Sequence, residues 1–505
     1  MQTITKNLLL PALLIISSCI NQQSTEEGAY YEKELTFPPG ISLDEKIKMA
    51  ARLVPDSAQL AWQELEMTAF IHFTVNTFTG LEWGTGEEEP ELFNPGEFDA
   101  GQWARVLSES GMKMLILTCK HHDGFCLWPT KTTNHSVRSS PWRSGRGDLV
   151  REVKEACDEY GLKFGIYLSP WDRNAESYGD SPVYNNFFME QLKELLTWYG
   201  KIDEVWFDGA KGEDPKGKVQ VYDWEAYYRL IEKYQPGALT AIMGEDIRWV
   251  GTESGYGRET EWSVTAFAPG GSAESVKINE KLGLHPTSAD LGSRRLIEKA
   301  DKLFWYPAEV DVSIRPGWFY HEEEDDKVKS LEKLFDIYIN SVGRNAVLLL
   351  NIPPDTRGLI HENDTRHLKE FKSYLDKTFE RNIAFRAFTR YPGARKSVDG
   401  KKETYTYIDE FPAEIEYNFP VAEDFNIFMI KENIAKGQRI ESFKLEAYVN
   451  DEWQELASST TVGYKKILRL PVSRSDRIKL TISQSRDKAM ISEIGLYLTP
   501  DSTES

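Results

Sequence analysis

Three of the eight histidines, several carboxylates and a group of aromatics recur at one kind of place in this 505-residue chain, directly at the ends of short apolar runs. His72 lies near the end of the run 67–73, and His121-His122-Asp123 follows the run 112–118. Tyr167, Ser169, Trp171 and Asp172 close the run 162–168, and Trp206-Phe207-Asp208 closes 202–207. Glu245, Asp246, Arg248, Trp249 and Glu253 follow 239–243. Paired carboxylates among aromatics and neutral imidazoles suit the hydrolysis of a glycosidic bond. One carboxylate attacks the anomeric carbon and the other protonates the leaving oxygen. That acid must hold its proton near neutral pH, through burial or a like charge nearby.

Asp208 is the best candidate for the attacking group, because the apolar strand before it would fix it at a rim. Glu253 is the chosen acid, in an aromatic, glycine-rich loop able to fold over a sugar. Glu245, Asp246, Glu259 and Glu261 compete with it on spacing. The histidines match no common zinc spacing, and the chain has no G-x-S-x-G elbow for a serine nucleophile. Neither a metal nor a cofactor is expected.

These residues need a frame that brings strand ends together. Apolar strands alternate with helical segments over about 310 residues. Asp99 and Asp148 stand as N-caps, and Gly111 and Gly161 as terminators. Strands apolar throughout are buried on both faces, as in a parallel sheet. In a (β/α)8 barrel the strand C-termini converge on one face, where the site is built. A doubly wound sheet fits the alternation too, but no glycine-rich phosphate loop follows the first strand. After about residue 365 the texture changes to short alternating runs, from 384–391 to 491–498, separated by turn residues. That is the pattern of an antiparallel sandwich. The expected fold is therefore an irregular (β/α)8 barrel over residues 46–362, then a linker helix and a β-sandwich over 363–505.

The net charge of -20 argues against nucleic acid, which needs a basic field. Fourteen Trp and 23 Tyr are compatible with a sugar partner, since indoles pack on sugar faces. At the N-terminus, Lys6 precedes the apolar run 8–16, which is too short for a membrane span of about 20 residues. It ends in Ile16-Ser17-Ser18-Cys19. This resembles a bacterial lipobox, with residues 1–19 as signal, Cys19 lipidated and 20–45 as a polar tether. The expectation is a lipid-anchored protein of the bacterial cell envelope, touching the membrane only through its lipid. Of the remaining cysteines, Cys119 and Cys157 read as small core residues.

Seven segments carry a resemblance. They are FIHFTVNTFTGLEWG (70–84), LTCKHHDGF (117–125), GIYLSPWDRN (165–174), VWFDGA (205–210), IRWVGTESG (247–255), VDVSIRPGWFY (310–320) and LLLNIPPDTRGLI (348–360). In this order the chain resembles the α-L-fucosidases of glycoside hydrolase family 29, and more narrowly the subfamily acting on α-1,3/1,4-linked fucose. The resemblance implies a retaining double displacement with Asp208 as nucleophile and Glu253 as acid/base. Thr252 stands where Asn is usual beside that acid. It further implies sugar contacts at His72, His121, His122, Glu82, Trp83, Tyr167, Trp206, Arg248 and Trp318, with Trp262 a weaker candidate. The implied substrate is a fucosylated oligosaccharide or glycoconjugate of the Lewis type. The rival reading is a surface glycan-binding lipoprotein with an inactive barrel. The C-terminal sandwich resembles a galactose-binding-like module, or else only buttresses the barrel.

Overall fold

The computed structural model describes residues 29–212 and 217–503. The expected signal segment and its Cys19 lie outside the described residues. Eight parallel strands form one nearly closed sheet. In chain order they are β1 (Met67–Ile71), β2 (Met114–Lys120), β3 (Lys163–Leu168), β4 (Glu204–Phe207), β5 (Leu239–Ile242), β6 (Arg248–Trp249), β7 (Ala308–Ser313) and β8 (Ala346–Asn351). Their spatial order is β5-β4-β3-β2-β1-β8-β7-β6. A single parallel bridge, Ala241 to Ile247, joins the two edges.

Strand side chains alternate between faces, and here both faces are buried. Ala69, Ile71, Leu115, Leu117, Val205, Phe207, Leu348 and Leu350 point outward into the core beneath the helices. Phe70, Ile116, Tyr167, Trp206, Ala241, Val347 and Leu349 fill the barrel interior. The expected caps hold: the Asp99 side chain accepts from the Gln102 amide and that of Asp148 from the Arg151 amide. The helix capped by Asp148 spans Leu149–Tyr160 and ends at Gly161 with φ of 72°. Cys119, Cys126 and Cys157 are free and buried.

Residues 366–379 continue a helix, Glu362–Phe379, that leads into a six-stranded antiparallel sheet with its own apolar core around Ile415, Tyr417, Phe428, Leu445 and Leu480. Two of its strands, Ala413–Glu432 and Lys466–Ser485, are 20 residues long. Their pairing shifts register between Asn418 and Glu423 and again between Phe425 and Ile427, irregularities that bend and twist the paired strands.

Two expectations fail. Residues 31–45 are not a tether. Glu34–Thr36 pairs antiparallel with Lys302–Trp305, and Leu35 and Phe37 are buried in an apolar cluster with Ile47 and Leu303. The chain needs them to cover that flank of the barrel, and the acidic, polar composition hid the one alternating pair. Residues 384–391 do not open the sandwich as a strand. Asn382 caps a 3-10 turn, Ile383–Arg386, and its side-chain amide also donates to the Ile494 carbonyl. No helix among the described residues is long and apolar enough to cross a membrane.

Candidate active site

The C-terminal ends of β1, β2, β3 and β4 bring His72, His121, His122, Tyr167 and Asp208 together. The Tyr167 hydroxyl donates to Asp208 Oδ2 at 3.0 Å, and the Ala210 amide donates to Asp208 Oδ1 at 2.7 Å. His122 Nε2 stands 3.8 Å from Asp208 Oδ2. Burial, and then the Asp208 charge, push the Tyr167 phenol far above its ordinary range, so it stays a donor.

The imidazoles are neutral, and two tautomers follow from their partners. The Asn351 amide nitrogen donates to Ser313 Oγ and to the Trp318 carbonyl, so its oxygen faces His72 Nδ1 at 2.8 Å and accepts from it. That leaves His72 Nε2 as a bare acceptor. Ser169 donates to the Trp171 carbonyl and must accept from His122 Nδ1 at 2.7 Å, which leaves His122 Nε2 bare as well. Burial drives His72 down to about 3, with the Asn351 bond opposing. Burial also lowers His121 well below the ordinary range, with the neighbouring His122 adding to it. His121 Nδ1 is buried with no hydrogen-bond partner among the described residues. For His122 burial again leads, opposed by the Asp208 charge.

Glu253 rises from the loop after β6, and its carboxylate accepts from Trp318 Nε1 at 3.2 Å. Burial raises it above the ordinary carboxyl range against that hydrogen bond, and the charges of Asp208 and Glu82 raise it further. Glu245, Asp246 and Glu261 are committed elsewhere. Asp246 pairs with Lys33 and Glu261 with Arg248 and Arg258. Glu245 lies on the surface beside Lys33 and Arg229.

The other expected contacts divide. Trp318 is half-exposed, 5.2 Å from the His72 ring. Trp83 stands 57% exposed at the rim, edge-on to Trp171 at 5.7 Å, so it offers the broadest open indole face of the site. Glu82 accepts from the Trp318 amide at 2.9 Å and pairs with His321 Nε2 at 2.7 Å, so it holds the Trp318 segment in place. Trp206 is only 6% exposed, stacks on Tyr167 at 5.2 Å and donates to Glu309 Oε2 at 2.8 Å, so it floors the pocket and supports Tyr167 from beneath. Arg248 is a correction. It is 1% exposed, bound to Glu261 and to the Tyr306 and Trp262 carbonyls, and turned away from the sugar pocket. Arg248 and Trp249 are successive residues of one strand, so their side chains take opposite faces. Trp249 has the inner one. Trp262 is buried too, with Arg486 lying over its ring.

The sequence reading missed Asp311. It lies on the inner face of β7, in the polar alternation Glu309, Asp311, Ser313. Trp249 Nε1 donates to its Oδ1 at 2.8 Å. Burial pushes it up to about 7, opposed by the Trp249 bond and assisted by Glu253 and Asp208. The E-x-D-x-S spacing in a strand buried on both faces was the available signal. Asp311→Asn keeps the acceptor for Trp249 and removes the titration. Between about pH 4 and about 7 the unfolded carboxyl is ionised while the native one keeps its proton. Native stability therefore falls as pH rises across that window. The variant is expected to gain on the wild type in urea midpoint from pH 4 to 7, with a constant gap above.

Arg315 anchors the segment that carries Trp318. It is fully buried, its Nε–H shared between the two Asp364 carboxylate oxygens at 2.9 and 3.1 Å, and its Nη1 stands 2.9 Å from Asp325 Oδ1. Asp364→Ala leaves that guanidinium half-paired, and an expected loss of about 3 to 5 kcal/mol is measurable by denaturant titration.

A barrel whose strand ends present a fixed carboxylate, a second carboxyl of raised pKa, neutral imidazoles and open indoles defines a carbohydrate-cleaving enzyme, a glycoside hydrolase. The family model for Alpha-L-fucosidase matches residues 53–380, and the chain belongs to that family. Alpha-L-fucosidase 1 of Arabidopsis thaliana is 42% identical over 462 residues, covering 88% of this chain and 87% of that protein. A Bacteroides ovatus structure described as an alpha-L-fucosidase shares 54% identity with a TM-score of 0.88, covering 94% of this chain and 79% of that one. The Ruminococcus gnavus GH29 fucosidase in complex with fucose is 31% identical with a TM-score of 0.78, covering 90% of this chain and 96% of that one. The chain is thus a family 29 glycoside hydrolase with α-L-fucosidase activity.

Proposed function

We propose that the enzyme is a retaining exo-α-L-fucosidase acting on α-1,3/1,4-linked fucose of Lewis-type branched glycans, anchored to the bacterial cell envelope by lipid on Cys19. The observation that carries the mechanism is the Asp208 carboxylate, fixed by Tyr167 and the Ala210 amide, with the raised Glu253 within range of its charge. Asp208 attacks the anomeric carbon while Glu253 gives its proton to the leaving oxygen. Glu253 then takes a proton from the water that attacks the fucosyl-enzyme. The bare Nε2 atoms of His72 and His122 accept from sugar hydroxyls, and the indole of Trp318 lies beside them.

The linkage reading is supported by the IRWVGTESG segment and by the open side of the site. There Trp83 is exposed and lies edge-on to Trp171, with the Arg173 guanidinium 5.5 Å over the Trp171 ring. The test compares a Lewis trisaccharide, 2'-fucosyllactose and an aryl fucoside. Cleavage of the Lewis trisaccharide should exceed that of 2'-fucosyllactose by at least tenfold in kcat/KM, and the reverse order rejects the linkage assignment. Anchoring is tested by fractionating cells that express the full chain and Cys19→Ala. The full chain should sediment with membranes and the variant should not.

A further inference from the structure

The loop that carries Glu253 is exposed at its tip, and among the described residues the Glu253 side chain has one hydrogen-bond partner, Trp318. Its position therefore depends on how the two limbs of the loop are held. The outgoing limb is fixed within the barrel by Trp249 on Asp311 and by the Val250 amide on the Glu309 carbonyl at 3.0 Å. Mid-loop, the Gly257 amide donates to the Asn340 carbonyl at 2.7 Å and Arg344 donates to the Gly257 carbonyl at 2.9 Å. Gly255 lies against Ile337 and Val312, where an added Cβ would come within 3.1 and 3.2 Å.

The returning limb is held by the other domain. Lys466 Nζ donates to the Glu259 carbonyl at 2.5 Å, and Thr460 Oγ1 reaches the same carbonyl at 3.2 Å. Thr260 Oγ1 donates to Thr460 Oγ1 at 2.9 Å, and the Glu261 amide to Thr461 Oγ1 at 3.0 Å. Gln438 spans the limb, donating to the Glu261 carbonyl at 2.9 Å and accepting from the Ser263 amide at 2.7 Å. Lys466, Thr461 and Gln438 are all buried, so these contacts are shielded from water. The sandwich further locks itself to the barrel beside this limb, through the Ile467 amide on the Gly343 carbonyl and the Asn345 amide on the Lys465 carbonyl. A module present only to cover an apolar flank has no need to satisfy the backbone of the acid loop with polar side chains.

We propose that the C-terminal sandwich positions the general acid/base, with Lys466, Gln438 and Thr460 acting as positioning residues that clamp residues 259–263 and, through them, Glu253. The inference rests on Glu253 being the acid/base. Its consequence is specific: loosening the clamp weakens proton delivery to the leaving group and spares attack by Asp208.

The experiment measures kcat/KM, which reports formation of the fucosyl-enzyme, for two aryl fucosides of similar size. One is 2-chloro-4-nitrophenyl α-L-fucoside, whose leaving group needs no proton. The other is 4-methoxyphenyl α-L-fucoside, whose leaving group does. Lys466→Met, Gln438→Leu and Thr460→Val are made in the full chain, with Glu253→Ala as the reference. Thr460→Val is nearly isosteric and keeps the question answerable if a buried substitution fails to fold. The clamp variants should lose tenfold or more on the methoxyphenyl substrate and less than threefold on the chloronitrophenyl one. Equal losses on both substrates, or no loss on either, overturn the positioning role. If Glu253→Ala itself fails to discriminate between the two, the acid assignment falls and this inference with it. If Glu253→Ala discriminates and the clamp variants do not, only the clamp is rejected.

Discussion

Replacing Asp208 with alanine is expected to lower kcat/KM for an aryl fucoside by about 10⁴- to 10⁶-fold, the scale at which removing a nucleophile leaves only binding and electrostatic catalysis. The Asp208 side chain is 24% exposed and packs no core, so its loss should leave the thermal midpoint nearly unchanged. On the proposed mechanism, what the variant loses is the atom that bonds to the anomeric carbon. Tyr167 would then have no carboxylate to donate to, and its hydroxyl is expected to turn to water. Two measurements check the result: steady-state kinetics, and product analysis with added azide, which should attack from the vacated side and give the inverted fucosyl azide. A variant within tenfold of wild type would place the nucleophile elsewhere.

Glu253→Ala carries the second large effect, and it depends on the substrate. Loss of a positioned general acid costs about 10²- to 10⁴-fold where the leaving group needs a proton. With an activated aryl fucoside the first step survives, and the fucosyl-enzyme accumulates because water lacks its base. Azide needs no base, so it should restore turnover and give a fucosyl azide of retained configuration. The pH profile supplies an independent check. Burial, opposed by the Trp318 bond and assisted by the Asp208 charge, raises the Glu253 carboxyl. Wild-type kcat/KM should therefore fall as pH rises through that raised value, since the acid loses its proton there. In the alanine variant that basic limb should vanish. If the limb persists, another group is the acid.

Both residues were legible in the chain as candidates because a (β/α)8 barrel ties function to sequence position. A polar residue directly after an apolar strand reaches the rim whatever the helices do, and His72, His121 and Asp208 all follow that rule. The helix limits at Asp148 and Gly161 were legible because caps are local hydrogen bonds. Arg248 was misread for a reason equally local. Residues 248–249 form a two-residue strand too short to show periodicity, so the face each side chain takes is set by pairing with β7. Trp206 lies on the right face, but its depth in the barrel depends on Tyr167, Phe70 and Glu309, which come from three other strands.

The sequence by itself determined the strand–helix alternation, the change to a sandwich after the barrel, and the residue types available for glycoside chemistry. All of these are written in short-range periodicity and in the ends of apolar runs. The tertiary structure decided which carboxyl is raised, which imidazole nitrogen is bare, and that Asp311 lies beneath the acid loop. It also decided that residues 31–45 belong to the fold and that Lys466, some 200 residues from Glu259, satisfies that residue's carbonyl. The physical reason is the same in each case. Burial, charge proximity and long-range hydrogen bonds are properties of neighbours in space, and a barrel closed against a second domain makes neighbours of residues far apart in the chain.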